Sequence, residues 1–107
     1  MINVTFVDEG NKLSLRLEGH AGYAETGKDI VCASASILAY TVAQFVLEAE
    51  RRDETEICEV RLESGEAIVS CEAKGDALKE MQKMYSFAKR GYQLLANSYP
   101  QYVRLLP

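Results

Sequence analysis

One histidine in 107 residues, three cysteines with no C-x-x-C pair among them, and no apolar run long enough for a membrane span narrow the chemistry before any motif is considered. A four-ligand zinc site drawn from this chain alone would need carboxylates to complete it, so no metal and no cofactor is expected. The least polar stretch, Ala33 to Leu47, is interrupted by Ser34, Ser36, Thr41 and Gln44 and falls short of the ~18 residues of a span, so no membrane partner is expected. Met1 to Val7 carry no basic start and run straight into Asp8, unlike a secretory signal, which makes the cytoplasm the expected compartment. Positive charge is also scarce: 12 basic against 16 acidic residues give a formal charge of −4, which argues against a direct nucleic-acid partner and suits a basic protein partner. No repeat, linker or low-complexity segment divides the chain. What remains is the composition of a globular domain, 48% hydrophobic and 26% charged. A chain of this length buries roughly two-thirds of its unfolded surface, so residues 1–107 form one expected domain that folds without staples.

Periodicity sets out the elements. Ile2, Val4 and Phe6 alternate with Asn3, Thr5 and Val7; after Glu9-Gly10-Asn11, Leu13, Leu15 and Leu17 alternate with Ser14, Arg16 and Glu18. This is the pattern of a β-hairpin with one buried face, and it puts His20 on the polar side of the second strand. From Val31 the spacing turns helical through Ala35, Leu38, Val42, Phe45, Val46 and Ala49, with Asp29 as N-cap and a charged cluster, Glu48 to Glu54, at the end. Ser64-Gly65 serves as a two-residue turn between two further strands. Pairing Glu63 with Glu66 sets Val60 opposite Val69 and Cys58 opposite Cys71, two core thiols that are expected to meet and to take no part in catalysis. A second helix follows Gly75-Asp76 through Leu78, Met81, Tyr85, Ala88, Tyr92 and Leu95 and stops before Pro100, and the tail alternates weakly through Val103 and Leu105, enough for a short strand. The order ββαββα(β) predicts an α+β two-layer sandwich, a mostly antiparallel sheet with two helices on one face.

Bond chemistry converges at one junction. The sole histidine, His20, stands at the end of a strand and Cys32 in the first turn of the following helix, the minimum equipment for a thiol nucleophile with its own base. A thiolate is the attacking species and an ordinary thiol has a pKa of about 8.5. A helix N-terminus contributes only ~0.3–1 kcal/mol toward a nearby anion, so a protonated His20 must supply the larger part. The backbone N–H groups of Cys32 and Ala33 are candidates for holding an oxyanion. Ser36 lies one turn beyond Cys32 on the same helical face, and Asp29 either caps the helix or faces the histidine. Ala21 to Lys28, with Gly22, Tyr23 and Gly27, lacks apolar periodicity and reads as a loop over the site or as a plain connection with glycines at its turns.

Gly19-His20-Ala21, followed after a gap by Gly27-x-Asp29-Ile30-Val31-Cys32-Ala33-x-x-Ser36, resembles the small ribosomal-processing cysteine proteases of bacteria. Arg90-Gly91-Tyr92 and Asn97-Ser98-Tyr99-Pro100-Gln101-Tyr102-Val103 resemble that family's closing helix and tail, so the likeness runs nearly end to end, its specificity residing mostly in the first motif. The resemblance implies a cysteine endopeptidase with Cys32 as nucleophile, His20 as general base and then acid through an acyl-enzyme, and Asp29 and Ser36 in supporting roles. It further implies a lid loop at Gly22, Tyr23 and Gly27 that gates the site, a homodimer, and a basic substrate, the N-terminal extension of large-subunit ribosomal protein twenty-seven. An apolar subsite near Tyr23 or on the helix face would follow. Ser34 departs from the family's small apolar residue, which touches only local packing. Two rivals stand beside this reading: a non-enzymatic ribosome-associated binding module, which would tolerate Cys32→Ala, and a redox-sensing thiol protein, disfavoured because no second cysteine is placed to resolve an oxidised Cys32.

Overall fold

In the computed structural model, which describes residues 1–107, the chain opens with a hairpin of β1 (Ile2–Glu9) and β2 (Lys12–Glu18), in register Val4 to Leu17 and Phe6 to Leu15. Residues 19–29 then lead into α1 (Ile30–Arg51). A second hairpin, β3 (Thr55–Glu63) and β4 (Glu66–Ala73), is followed by a 3-10 turn at Gly75–Ala77, α2 (Leu78–Ser98) and β5 (Val103–Leu105). The sheet runs β3-β4-β2-β1-β5. Its two hairpins join antiparallel through β2 and β4, and β5 lies parallel to β1.

Period-two alternation delivers Val4, Leu13, Leu15, Val69 and Cys71 to one face, all fully buried beneath the helices. α1 meets this face with a stripe dominated by small residues, Val31, Ala35, Ala39, Val42, Val46 and Ala49, which lets the helix lie close to the strands. α2 brings larger ones, Met81, Tyr85 and Tyr92, and Phe6 packs edge-on against both tyrosines at centroid separations of 6.4 and 5.9 Å. The expected α+β sandwich is therefore present, and the tail does form its short strand. By length and mean hydropathy α1 could cross a membrane, contrary to the count made on Ala33 to Leu47, because the helix extends to 22 residues. Its stripe on the sheet gives it the packing of a core helix.

One register differs from expectation. The Ser64-Gly65 turn pairs Glu63 with Glu66 and Val60 with Val69 as foreseen, but a bulge between Ile57 and Glu59 then places Ile57, not Cys58, opposite Cys71. Cys58 is exposed and Cys71 buried, so the two thiols do not meet. The cause is apolar spacing: Ile57 and Val60 are three apart, and both reach the core face only if one residue between them is looped out.

Candidate active site

β2 ends against the opposite hairpin. The Gly19 N–H donates to the Gly65 carbonyl at 2.9 Å, and Gly19 has a φ of +99° where any β-carbon would collide with the Met1 carbonyl oxygen. The N-terminal ammonium of Met1 donates to the His20 carbonyl, so the backbone on either side of the imidazole is tied down. His20 is exposed, and the outer edge of its ring lies over Gly65: a β-carbon built on Gly65 would come within 2.8 Å of Nε2 and 3.1 Å of Cε1.

Asp29 caps α1, as the sequence predicted, and divides its carboxylate between two tasks. Oδ1 accepts from the Val31 and Cys32 N–H groups at 3.0 and 2.9 Å, while Oδ2 accepts from Tyr23 and Ala24 at 3.1 and 3.3 Å. Desolvation alone would raise its pKa. The donors from Cys32, Ala24, Tyr23 and Val31 outweigh that and hold the carboxyl below the ordinary carboxylate value. Asp29 thus faces the loop and the helix start and makes no hydrogen bond with the histidine.

In this structure both expected oxyanion donors are already engaged. The Cys32 N–H is engaged by Asp29 Oδ1, and the Ala33 N–H donates to the Asp29 carbonyl at 3.0 Å as the first rung of the helix. The amide aimed at the reacting atom is instead that of Ala21, whose N–H donates to Cys32 Sγ at 3.4 Å. Ala21 is itself buried, so this donor is fixed from behind.

The loop over the site is pinned at several points. Tyr23 packs edge-to-face on Tyr99 and Tyr102 of the tail, with centroids 5.6 and 5.2 Å apart, and Lys28 pairs with Glu25 at 3.0 Å. Gly22 and Gly27, at φ +70° and +87°, stand at its two ends with open space around them.

His20, Cys32 and Ser36 line the same two adjoining clefts. The first, about 290 Å³, runs between α1 and the β3–β4 hairpin over an apolar floor of Leu17, Ala35, Ala39 and Ala67; the second, about 620 Å³, opens beneath the loop and also reaches Asp29 and Ala33. The half-buried Ser36 shares these clefts with the imidazole but does not hydrogen-bond to it, and no hydrogen bond joins His20 to Cys32. Sequence reasoning missed Ala21, Gly65, and the tyrosines under the loop. Ser64-Gly65 reads as a turn from the sequence alone; the pairing of β2 with β4, which sets Glu18 opposite Glu66 and so lands that turn beside His20, is not legible there.

The family model for cysteine protease Prp matches residues 1–104. Over 54 residues the sequence is 37% identical to ribosomal processing cysteine protease Prp of Staphylococcus aureus, covering 49% of this chain and 51% of that protein; the match thus spans about half the length of that curated relative. Among solved structures, the fold is similar to that of the essential ribosomal processing protease Prp from S. aureus in complex with a covalently linked product peptide, with TM-score 0.72 and 24% identity over 98% of this chain and 97% of that one. A Streptococcus mutans protein superposes with TM-score 0.68 and 25% identity over 98% of this chain and 91% of that one.

Proposed function

Because this chain belongs to the cysteine protease Prp family, we propose that it is a cysteine endopeptidase with Cys32 as nucleophile and His20 as its base. The observation that carries the reading is that imidazole and thiol line the same clefts, one at the end of β2 and the other in the first turn of α1, with the Ala21 N–H directed at the sulfur. In the proposed reaction His20 takes the thiol proton, and Sγ attacks the scissile carbonyl carbon. The imidazolium then protonates the leaving amine, and water, deprotonated by the same ring, releases the acyl group. The Ala21 N–H stabilises the negative charge on sulfur before attack. The Cys32 N–H, occupied by Asp29 Oδ1 in this structure, would serve the oxyanion only after that bond is released.

The substrate of this reading is the N-terminal extension of large-subunit ribosomal protein twenty-seven, met in the cytoplasm. The net acidity of the chain suits a basic ribosomal protein, and the apolar cleft floor of Leu17, Ala35, Ala39 and Ala67 suits one large apolar side chain beside the cut. The relatives from S. aureus were solved with a substrate peptide and with a covalently linked product peptide, which supports an extended peptide across the same clefts here. The enzyme acts as a homodimer in this proposal, supported by an apolar groove of about 660 Å³ between the helices where Phe87 and Leu94 stand 74% and 67% exposed.

Incubating the protein with a peptide spanning the extension junction tests the reading. Wild type is expected to cut it, and Cys32→Ala and His20→Ala to lose the cut. Cleavage by Cys32→Ala would overturn Cys32 as the nucleophile, and no cleavage by wild type would return the chain to a ribosome-associated binding module.

A further inference from the structure

We propose that Gly65, in the turn between β3 and β4, is the positioning residue for His20: the side chain missing at 65 is the space in which the imidazole lies. The inference rests on the reading of His20 as the base.

A base in a cysteine or serine hydrolase is held in place by a third group, commonly through a hydrogen bond. Here neither candidate does this. Both Asp29 oxygens are taken by backbone donors, and Ser36 makes no hydrogen bond to the ring. The three heavy atoms nearest to a β-carbon built on Gly65 are instead all imidazole atoms, Nε2 at 2.8 Å, Cε1 at 3.1 Å and Cδ2 at 3.5 Å. The ring therefore rests its outer edge on the bare backbone of the turn. Shelf and ring are also tied to each other through the backbone, because Gly19, next to His20, donates to the Gly65 carbonyl and Glu18 pairs with Glu66. Gly10, Gly22, Gly27 and Gly75 have nothing within 4 Å of the equivalent point, and the close neighbours of Gly19 and Gly91 are the Met1 carbonyl and the Leu38 side chain, so contact with the imidazole belongs to Gly65 alone among the glycines.

Gly65 also has a φ of +80°, so a substitution brings backbone strain as well as the ring contact. Two further variants separate the effects. Gly10→Ala, in the β1–β2 turn at φ +63° with open space around it, carries the strain without the contact. Gly65→Asn carries the contact on a residue that tolerates positive φ.

Wild type, Gly65→Ala, Gly65→Asn and Gly10→Ala are compared by thermal melting, by kcat and KM on the extension-junction peptide, and by the imidazole NMR signals of the sole histidine. Both Gly65 variants are expected to shift the His20 ring signals and to lower kcat by about tenfold to a hundredfold, the scale on which misplacement by ~1 Å acts, with KM little changed. Gly10→Ala is expected to melt earlier while keeping wild-type kcat and ring signals. The proposal is overturned if either folded Gly65 variant keeps wild-type kcat, if the loss falls in KM alone as crowding of substrate would have it, or if Gly10→Ala loses as much kcat. His20→Ala completes the set. An active His20→Ala fells the reading of His20 as the base, whereas an inactive His20→Ala beside an active Gly65→Ala fells only the shelf.

Discussion

Asp29 concentrates more of the site's geometry than any other side chain, since one oxygen caps α1 and the other holds the loop at Tyr23 and Ala24. Asparagine is as good a cap as aspartate but presents only one acceptor oxygen. Asp29→Asn should therefore melt close to wild type while the Tyr23 and Ala24 amides exchange faster with deuterium. Asp29→Ala should lose both functions, with a stability loss of ~0.5–2 kcal/mol typical of a removed cap. The pH dependence has a fixed sign. The folded-state pKa lies below the ordinary 3.8, so the contribution is full above that value and fades as pH falls through the lower folded-state value. The difference in melting temperature between wild type and Asp29→Ala should accordingly be constant from neutral pH down to about 5 and shrink in acid. A gap that widened in acid would contradict the account.

At the scale of elements, the start of α1 is held by α2 as well as by its cap. The Tyr92 hydroxyl, fully buried, donates to the Ala35 carbonyl at 2.8 Å, one turn beyond Cys32, and burial raises its pKa so that it stays a donor. Tyr92→Phe keeps the packing against Phe6 and removes only the bond, so denaturant unfolding should register a loss of ~0.5–1.5 kcal/mol; no loss would mean that packing alone seats α1. Helix starts, caps and hairpin turns were legible in the sequence because each is written in neighbouring residues: Asp29 before Val31, Gly10-Asn11, Ser64-Gly65. The bulge was legible in principle, in the three-residue spacing of Ile57 and Val60, but the turn register alone extrapolated past it and set Cys58 on the wrong face.

Across the whole molecule, the arrangement that could not be read locally is the strand order. Pairing of β2 with β4 carries the Gly65 turn to His20, and return of the tail to β1 carries Tyr99 and Tyr102 beneath Tyr23. These contacts join segments more than 40 residues apart, and no window of sequence holds both partners. The proposed homodimer is tested at the same scale: Phe87, 74% exposed, lines the apolar groove between the helices, and if that groove is the interface Phe87→Glu should convert a dimer to a monomer in sedimentation at unchanged helicity. An unchanged sedimentation coefficient would remove this face from the interface.

The misplaced cysteine supplies the sharpest test of the central claim, that His20 and Cys32 act as a pair. Cys58 is an exposed thiol on an edge strand that lines neither of the clefts holding the imidazole, and so an internal reference, while buried Cys71 should label only on unfolding. The measurement is the rate of iodoacetamide alkylation at Cys32 and Cys58 of the same molecules, followed by peptide mass spectrometry from pH 5 to 9, in wild type and in His20→Ala. The account predicts that Cys32 outpaces Cys58 near neutral pH and that this advantage vanishes without the imidazole; equal rates in wild type, or an advantage that survives His20→Ala, would contradict it.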